Sequence, residues 1–231
     1  MSDPQDAASP LDAVAWPEQL QARVVDSQPT PAIRGYDVED DLACHYGLLE
    51  VLLLALGGEL LDEDRRRAVE VALIFAAACS VAEAPVHAAR LGRVIGVQHS
   101  ALSGIAAMGL AEQARDQVQQ QAELLTWLGS GEGEPPTSAR SRDDDERAAV
   151  DRLRQALEHR GVEVPLLRAD LGRFPALLAV LWWAGFRKPE QLETLLVLSR
   201  LGVAIAEATA VRPLSMKSYP MNLPAFAEVA P

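Results

Sequence analysis

The chain has 231 residues, 49% of them hydrophobic, which is enough apolar material for one large domain or a large domain with a small appendage. A net charge of −12, with 21 Lys and Arg scattered among 33 acids, repels a phosphate backbone and argues against nucleic acid as a partner. Only two cysteines occur, Cys44 and Cys79, without a CxxC or a Cys/His cluster, so no metal site is expected and a reducing cytoplasm is the natural setting.

The N-terminal stretch MSDPQDAASPLDAVAWPEQL carries acids where an export signal needs bases, and it has no apolar h-region. Residues 1–32 are rich in proline and small polar side chains and read as an extended arm. From Asp37, a plausible N-cap, the apolar positions Leu42, Leu49, Leu52, Leu53 and Leu56 follow helical spacing until Gly57 and Gly58 end it. The segment DEDRRRAVEVALIFAAAC opens with acids at the positive end of its dipole and becomes apolar, as a helix entering a core does.

After Pro85 a short helix runs to about Gly96, and ALSGIAAMGLAEQARDQVQQQAELLTWLG is expected to continue as one long helix. Within it Ala101, Gly104, Ala107 and Gly109 would let another helix approach closely. The longest uncharged run, Val94 to Ala111, contains Gln98, His99, two serines and three glycines, so it reads as buried helix with a break and no membrane span is expected. Residues 129–142 form a Gly-, Ser- and Pro-rich flexible linker that interrupts the domain without dividing it. Helices are expected over Asp143–Arg160, Phe174–Ala184 and Pro189–Ala210, and 220–231 is left as a C-terminal tail. With no sustained strand alternation, the class is all-α.

Signatures for dinucleotide, nucleoside triphosphate, zinc-hydrolase and serine-hydrolase chemistry are absent. His45, His87, His99 and His159 each lack a carboxylate at a telling spacing and read first as structural or solvated. His87, beside a helix N-terminus, is the one best placed to present a neutral imidazole to an anion. Arg200 sits among Leu195, Leu196, Val197, Leu198, Leu201, Val203 and Ile205, so its charge must snorkel outward, meet an acid or face a pocket. Arg212 follows twelve residues later beside Pro213, where the helix should end. Each guanidinium can grip a carboxylate through parallel hydrogen bonds, although from spacing alone an ion pair with Glu193 or Glu207 is the simpler account.

The segment LSRLGVAIAEATAVRPLSMKSYP resembles the C-terminal part of the citrate synthase superfamily, where an arginine of a Ser-Arg-(x)-Leu-Gly helix and a later Arg-Pro bind substrate carboxylates. IRGYDVEDDLACHYGLLEVLLLALGG, APVHAARLGRVIGVQHSALSGIAAMGL and GFRKPEQLETLLVLSRLG are similar, in the same order, to helical stretches of bacterial citryl-CoA lyase-like members. The resemblance spans 33–219 and implies a citrate-synthase-like multi-helical domain with a shortened small domain around 129–170. It implies substrate-binding roles for Arg200 and Arg212, to which the helix N-terminus argument adds His87, and a dimer in which one arginine reaches the partner's site.

Three departures qualify the implied chemistry. The superfamily's His-Gly-Gly histidine region reads GLAEQARDQVQQ here, its Gly-His-Pro loop is replaced by GSGEGEPPTSARSRDDDE, and its catalytic aspartate falls near Arg173 or Phe174. A guanidinium cannot serve as the base. Asp170 could substitute only with a shift of helix register, and Glu112 and Asp116, four apart on one face, read as an exposed acidic surface. The sequence thus implies a divergent citrate synthase or citryl-CoA lyase-like protein binding a small carboxylate or an acyl-CoA thioester, with no covalently bound cofactor, making or breaking a carbon–carbon bond if a base is present. The alternative is a catalytically silent scaffold or regulatory subunit, as a homodimer or paired with an active homologue, and an unrelated helical bundle of similar composition is a third reading.

Overall fold

The computed structural model describes residues 22–26 and 30–213; the expected tail at 220–231 and most of the expected arm lie outside them. The chain forms two compact units, Met1–Leu60 and Leu61–Pro231. The division at Leu60 falls inside the single domain expected from residue 33, because the first unit pairs its strands and its helix among themselves.

In the first unit, β1 (Val25–Asp26), β2 (Ala32–Ile33) and β3 (Tyr36–Asp37) make a small antiparallel sheet in that order. Asp37 caps the next turn, accepting hydrogen bonds from Glu39 and Asp40 N–H at 2.8 and 2.7 Å. One continuous helix to Gly58 was expected. Instead a π-turn over Val38–Leu42 leads into the short α1 (Ala43–His45), the backbone extends at Tyr46, and α2 (Leu48–Gly57) begins afresh. Gly47 opens α2 by donating its N–H to Glu50 Oε2 at 2.8 Å, and Gly58, at φ 93°, closes it in a conformation that favours glycine.

The second unit contains α3 (Glu63–Ala77), α4 (Ala84–Val94), α5 (His99–Gln119), α6 (Ala122–Ser130), α7 (Asp144–His159), α8 (Arg173–Trp183) and α9 (Pro189–Ala210). Asp62 and Asp143 cap α3 and α7 with their carboxylates, and Pro189 starts α9 where no N–H is needed. The expected long helix after Gln98 is divided: the chain turns at Gln120–Gln121, and α6 takes a new direction that buries Leu124 and Leu128.

Every residue of α8 from Pro175 to Leu181 is buried, which explains why this helix is apolar all round. It packs against α3, α6 and α7. Alongside, α4, α5 and α9 pack mutually around Val86, Ala89, Ala106, Leu110, Ala204 and Ala208. Three ties fix α4 and α9 in parallel: Glu83 to Arg200, Arg90 to Glu207 at 3.4 Å, and Arg93 Nε to Val211 C=O at 3.4 Å. Their sequence offset is nearly constant, so the two helices run in register.

Residues 129–142, expected to be a flexible linker, are built into this unit. A 3₁₀ turn over Thr137–Ala139 buries Ala139 completely, and the Ala139 carbonyl accepts the Gly172 N–H at 2.9 Å. The glycine- and proline-rich composition supplies tight turns here, with Gly131 and Gly133 at positive φ, and does not supply slack.

Candidate functional site

The three segments that the resemblance set against the superfamily's catalytic positions meet in one polar cleft of about 250 Å³. Gln117, Gln120 and Gln121 come from the end of α5; Ser138, Arg140 and Arg142 come from the loop before α7; Glu146 comes from α7; Gly172, Phe174 and Pro175 open α8. Gly172 makes the convergence possible, because a Cβ there would stand 2.9 Å from Glu146 Oε2 and 3.4 Å from the Arg140 carbonyl. The same Glu146 oxygen accepts the Arg142 N–H at 2.9 Å and so pins the loop to α7.

Most charges in this cleft are already engaged. Arg140 donates to Glu134 Oε2 at 2.6 Å and to the Pro135 carbonyl at 3.1 Å, and Ser138 Oγ donates to Glu123 at 2.6 Å. Arg142 differs: it is exposed, and its guanidinium has no ion-pair or hydrogen-bond partner among the described residues. No histidine or cysteine is among the described residues lining the cleft. The arrangement can hold an anion through guanidinium and amide groups, and among the described lining residues its one carboxylate is Glu146. A larger cleft of about 520 Å³ at the end of α7 is lined by cations that are paired, Arg154 with Asp151 at 2.7 Å and Arg168 with Glu163.

Arg200 is buried, with 8% of its surface exposed. It meets an acid, as one reading of its apolar neighbours required, and the acid is Glu83, where helical spacing pointed to Glu193 or Glu207. Glu207 instead pairs with Arg90. The contact closes a ring: Arg200 Nη2 and Gln113 Nε2 both donate to Glu83 Oε2, Arg200 Nη1 donates to Gln113 Oε1 at 3.0 Å, and Ser80 N–H donates to Glu83 Oε1 at 2.7 Å. Burial raises the Glu83 carboxyl, but the Ser80 N–H, Gln113 and Arg200 together pull it below its usual range. Gln113 and Gln117 are four residues apart on one face of α5, so the ring lies about 6 Å along the helix from the cleft.

His87 is exposed in the first turn of α4, one turn beyond Glu83. Arg212 is exposed beyond the other end of α9, and the helix from Arg200 to Ala210 alone spans about 15 Å. The structure therefore brings Arg200 to the His87 end of α4 and leaves Arg212 at the opposite end. His45, His99 and His159 are also exposed. Asp170 lies exposed in the link before α8, outside the cleft's lining, while Glu112 and Asp116 share the exposed Arg115 at 2.8 and 3.7 Å. Sequence reasoning missed Glu83, whose partner is 117 residues away, and Arg140 and Arg142, which composition hid in a linker. The Arg-x-Arg just before the acidic opening of α7 was the available signal.

No protein-family model matches the chain, and no curated protein matches it in sequence. Solved structures do. Citryl-CoA lyase from Hydrogenobacter thermophilus superposes with a TM-score of 0.64 at 15% identity, over 92% of this chain and 95% of that one. ATP citrate lyase from Methanosaeta concilii, solved as a variant with (3S)-citryl-CoA, gives 0.57 at 13% identity, over 92% of this chain and 43% of that one. The Methanothrix soehngenii ATP citrate lyase, solved with citrate and coenzyme A, gives 0.53 at 14% identity, over 94% of this chain and 44% of that one. This chain thus spans under half the length of the ATP citrate lyases and nearly all of the citryl-CoA lyase. The all-α fold is the citrate-synthase-like fold that the order of its helical segments resembles.

Proposed function

We propose that this chain binds a small carboxylate or an acyl-CoA thioester in the cleft between α5, the 137–142 loop and α8, without carrying out the proton chemistry of carbon–carbon bond formation. The observation that carries this reading is the convergence of the three departing segments on one cleft whose unengaged cation is Arg142. Its fold neighbours are a citryl-CoA lyase and ATP citrate lyases holding citrate, citryl-CoA or coenzyme A, which supports the ligand class. Removing an α-proton requires a base within reach and a donor for the oxyanion; the cleft has donors, and its one carboxylate, Glu146, is held by the Arg142 N–H.

In this reading Arg212 serves the site of a second subunit, in a cytoplasmic homodimer or a heterodimer with a homologue, and Arg200 and His87 act from the same face of the three-helix core. Calorimetric titration with citrate, coenzyme A and acetyl-CoA tests it. Binding by the wild type and a tenfold or greater loss in Arg142→Ala, with unchanged thermal stability, is the expected result, since a charge-assisted contact contributes about 1.5–3 kcal/mol. Absence of binding to all three ligands overturns the reading, and steady release of CoA from acetyl-CoA and oxaloacetate by the purified protein overturns its non-catalytic part.

The ring of Arg200, Glu83 and Gln113 favours a second reading, a silent scaffold pairing with an active subunit, because both terminal nitrogens of the guanidinium are engaged inside the chain. Capture of a homologous subunit by co-expressed protein, together with ligand titrations that show no heat, would select it.

A further inference from the structure

We propose that Glu83 is the resident occupant of a carboxylate-binding site on Arg200, carried on the turn at 78–83, and that this site takes an external carboxylate when the turn withdraws. This deepens the proposed reading, since it states what governs access to the guanidinium assigned there to a ligand. The donors and the acceptor of the ring differ in how they are supported. Arg200 Nη2 projects from α9 and Gln113 Nε2 from α5, two long helices that pack directly against one another. Both point at one oxygen, Glu83 Oε2. Without that oxygen two donors still converge on one place, the arrangement that holds a carboxylate.

A further donor is spare. Arg200 Nε is buried and has no hydrogen-bond partner, so the guanidinium is not exhausted by its internal contacts. The Arg200 side chain is 10% exposed and the Glu83 side chain 26%, so Glu83 is the more solvent-accessible member of the pair.

The turn that carries Glu83 is exposed at Ser80, Val81 and Ala82. Its other hydrogen bonds are short in range: Glu83 N–H to the Ser80 carbonyl at 3.0 Å and Ala82 N–H to Ser80 Oγ at 3.2 Å within the turn, His87 N–H to the Glu83 carbonyl at 2.9 Å at the start of α4, and Cys79 Sγ to the Ala77 carbonyl at 3.5 Å at the end of α3. Apart from Glu83, its polar tie to α9 is a thiol contact, Cys79 Sγ to the Arg200 carbonyl at 4.0 Å, and thiols are weak donors. Glu83 therefore fastens the turn and fills the site with one side chain. An incoming carboxylate competes with it directly, at an effective concentration set by a short tether.

Two variants of the full chain test this. Glu83→Ala vacates the site, and exchanging chloride for acetate or formate at constant ionic strength should raise its melting temperature by several degrees while leaving the wild type unmoved. Glu83→Gln keeps the side chain's size and removes its charge, so it folds and competes poorly; its affinity for citrate should rise at least tenfold over wild type. Both gains should persist in an Arg142→Ala background, where the cleft has lost its cation, so failure of the cleft reading and failure of this one are separable. Equal acetate responses by Glu83→Ala and wild type, or unchanged citrate affinity in Glu83→Gln, overturns the proposal.

Discussion

A guanidinium among leucines is tolerable only when its charge and its donors are met, and the surroundings of Arg200 set the chemistry of every polar residue that touches it. Cys79 is the clearest case. Burial raises its thiol above the ordinary value, the nearby Arg200 charge lowers it, and Glu83 raises it again, with a net shift upward. The thiolate is the reactive form, so Cys79 should be inert at neutral pH while the exposed Cys44 alkylates. Iodoacetamide followed by peptide mapping should find the first adduct on Cys44, and equal labelling of both would contradict the buried ring. Glu83 itself titrates below its usual value of 4.5, so the unfolded chain takes up its proton first as pH falls. Its contribution to stability is complete above about pH 4.5 and is lost as pH drops through the folded value. Urea midpoints of wild type and Glu83→Gln should accordingly differ at neutral pH and draw together in acid; a difference that persists in acid would mean the variant acts through something other than charge.

Between elements, two glycines of α5 separate close packing from open surface. A Cβ on Gly109 would meet the Pro85 backbone at 3.0 Å, so α4 starts hard against this helix, whereas nothing lies within 4 Å of a Cβ on Gly104. Gly109→Val should cost about 1–3 kcal/mol by overpacking, and Gly104→Ala should gain up to about 1 kcal/mol in helix propensity. Thermal denaturation of the two proteins checks both signs. The helix ends that were legible in the sequence are those written in local chemistry: Asp37 as a cap, Pro189 as a first residue, Gly58 as a stop. The breaks at Tyr46–Gly47 and Gln120–Gln121 were not, because the first depends on a Glu50 side chain turning back and the second lies among good helix formers. The same limit applies to the site. The apolar neighbours of Arg200 announce that its charge needs an answer, but helical spacing reaches only residues of the same helix, and Glu83 arrives through the parallel packing of α4 on α9. The 129–142 stretch was misjudged for a related reason: composition rich in glycine and proline is shared by slack linkers and by tight, hydrogen-bonded loops.

At the scale of the whole molecule, the three helices around the Arg200 ring leave apolar side chains in water. Leu91 is 40% exposed on α4, Met108 73% on α5, and Leu198 42% and Val203 43% on α9, with Ile95 61% exposed just past the end of α4. Gly104 and Gly202 also have open space above them, so a neighbouring helix could come close to α5 or α9 without meeting a side chain. A chain of net charge −12 tolerates such a surface best when something covers it, and self-association by a two-fold axis is the commonest solution. We expect a homodimer of about twice 24.9 kDa, and because both copies are acidic its affinity should rise with salt as the mutual repulsion is screened. It would also supply the second chain that the role proposed for Arg212 requires, since in one chain the helix from Arg200 to Ala210 alone spans about 15 Å. Sedimentation equilibrium at low and high salt measures the mass. Met108→Glu, which adds a charge at an exposed position, should shift the protein toward monomer with unchanged helical circular dichroism. A wild-type protein that sediments as a monomer at micromolar concentration at both salt levels would remove the homodimer, and with it the clamp completed by Arg212 of an identical subunit.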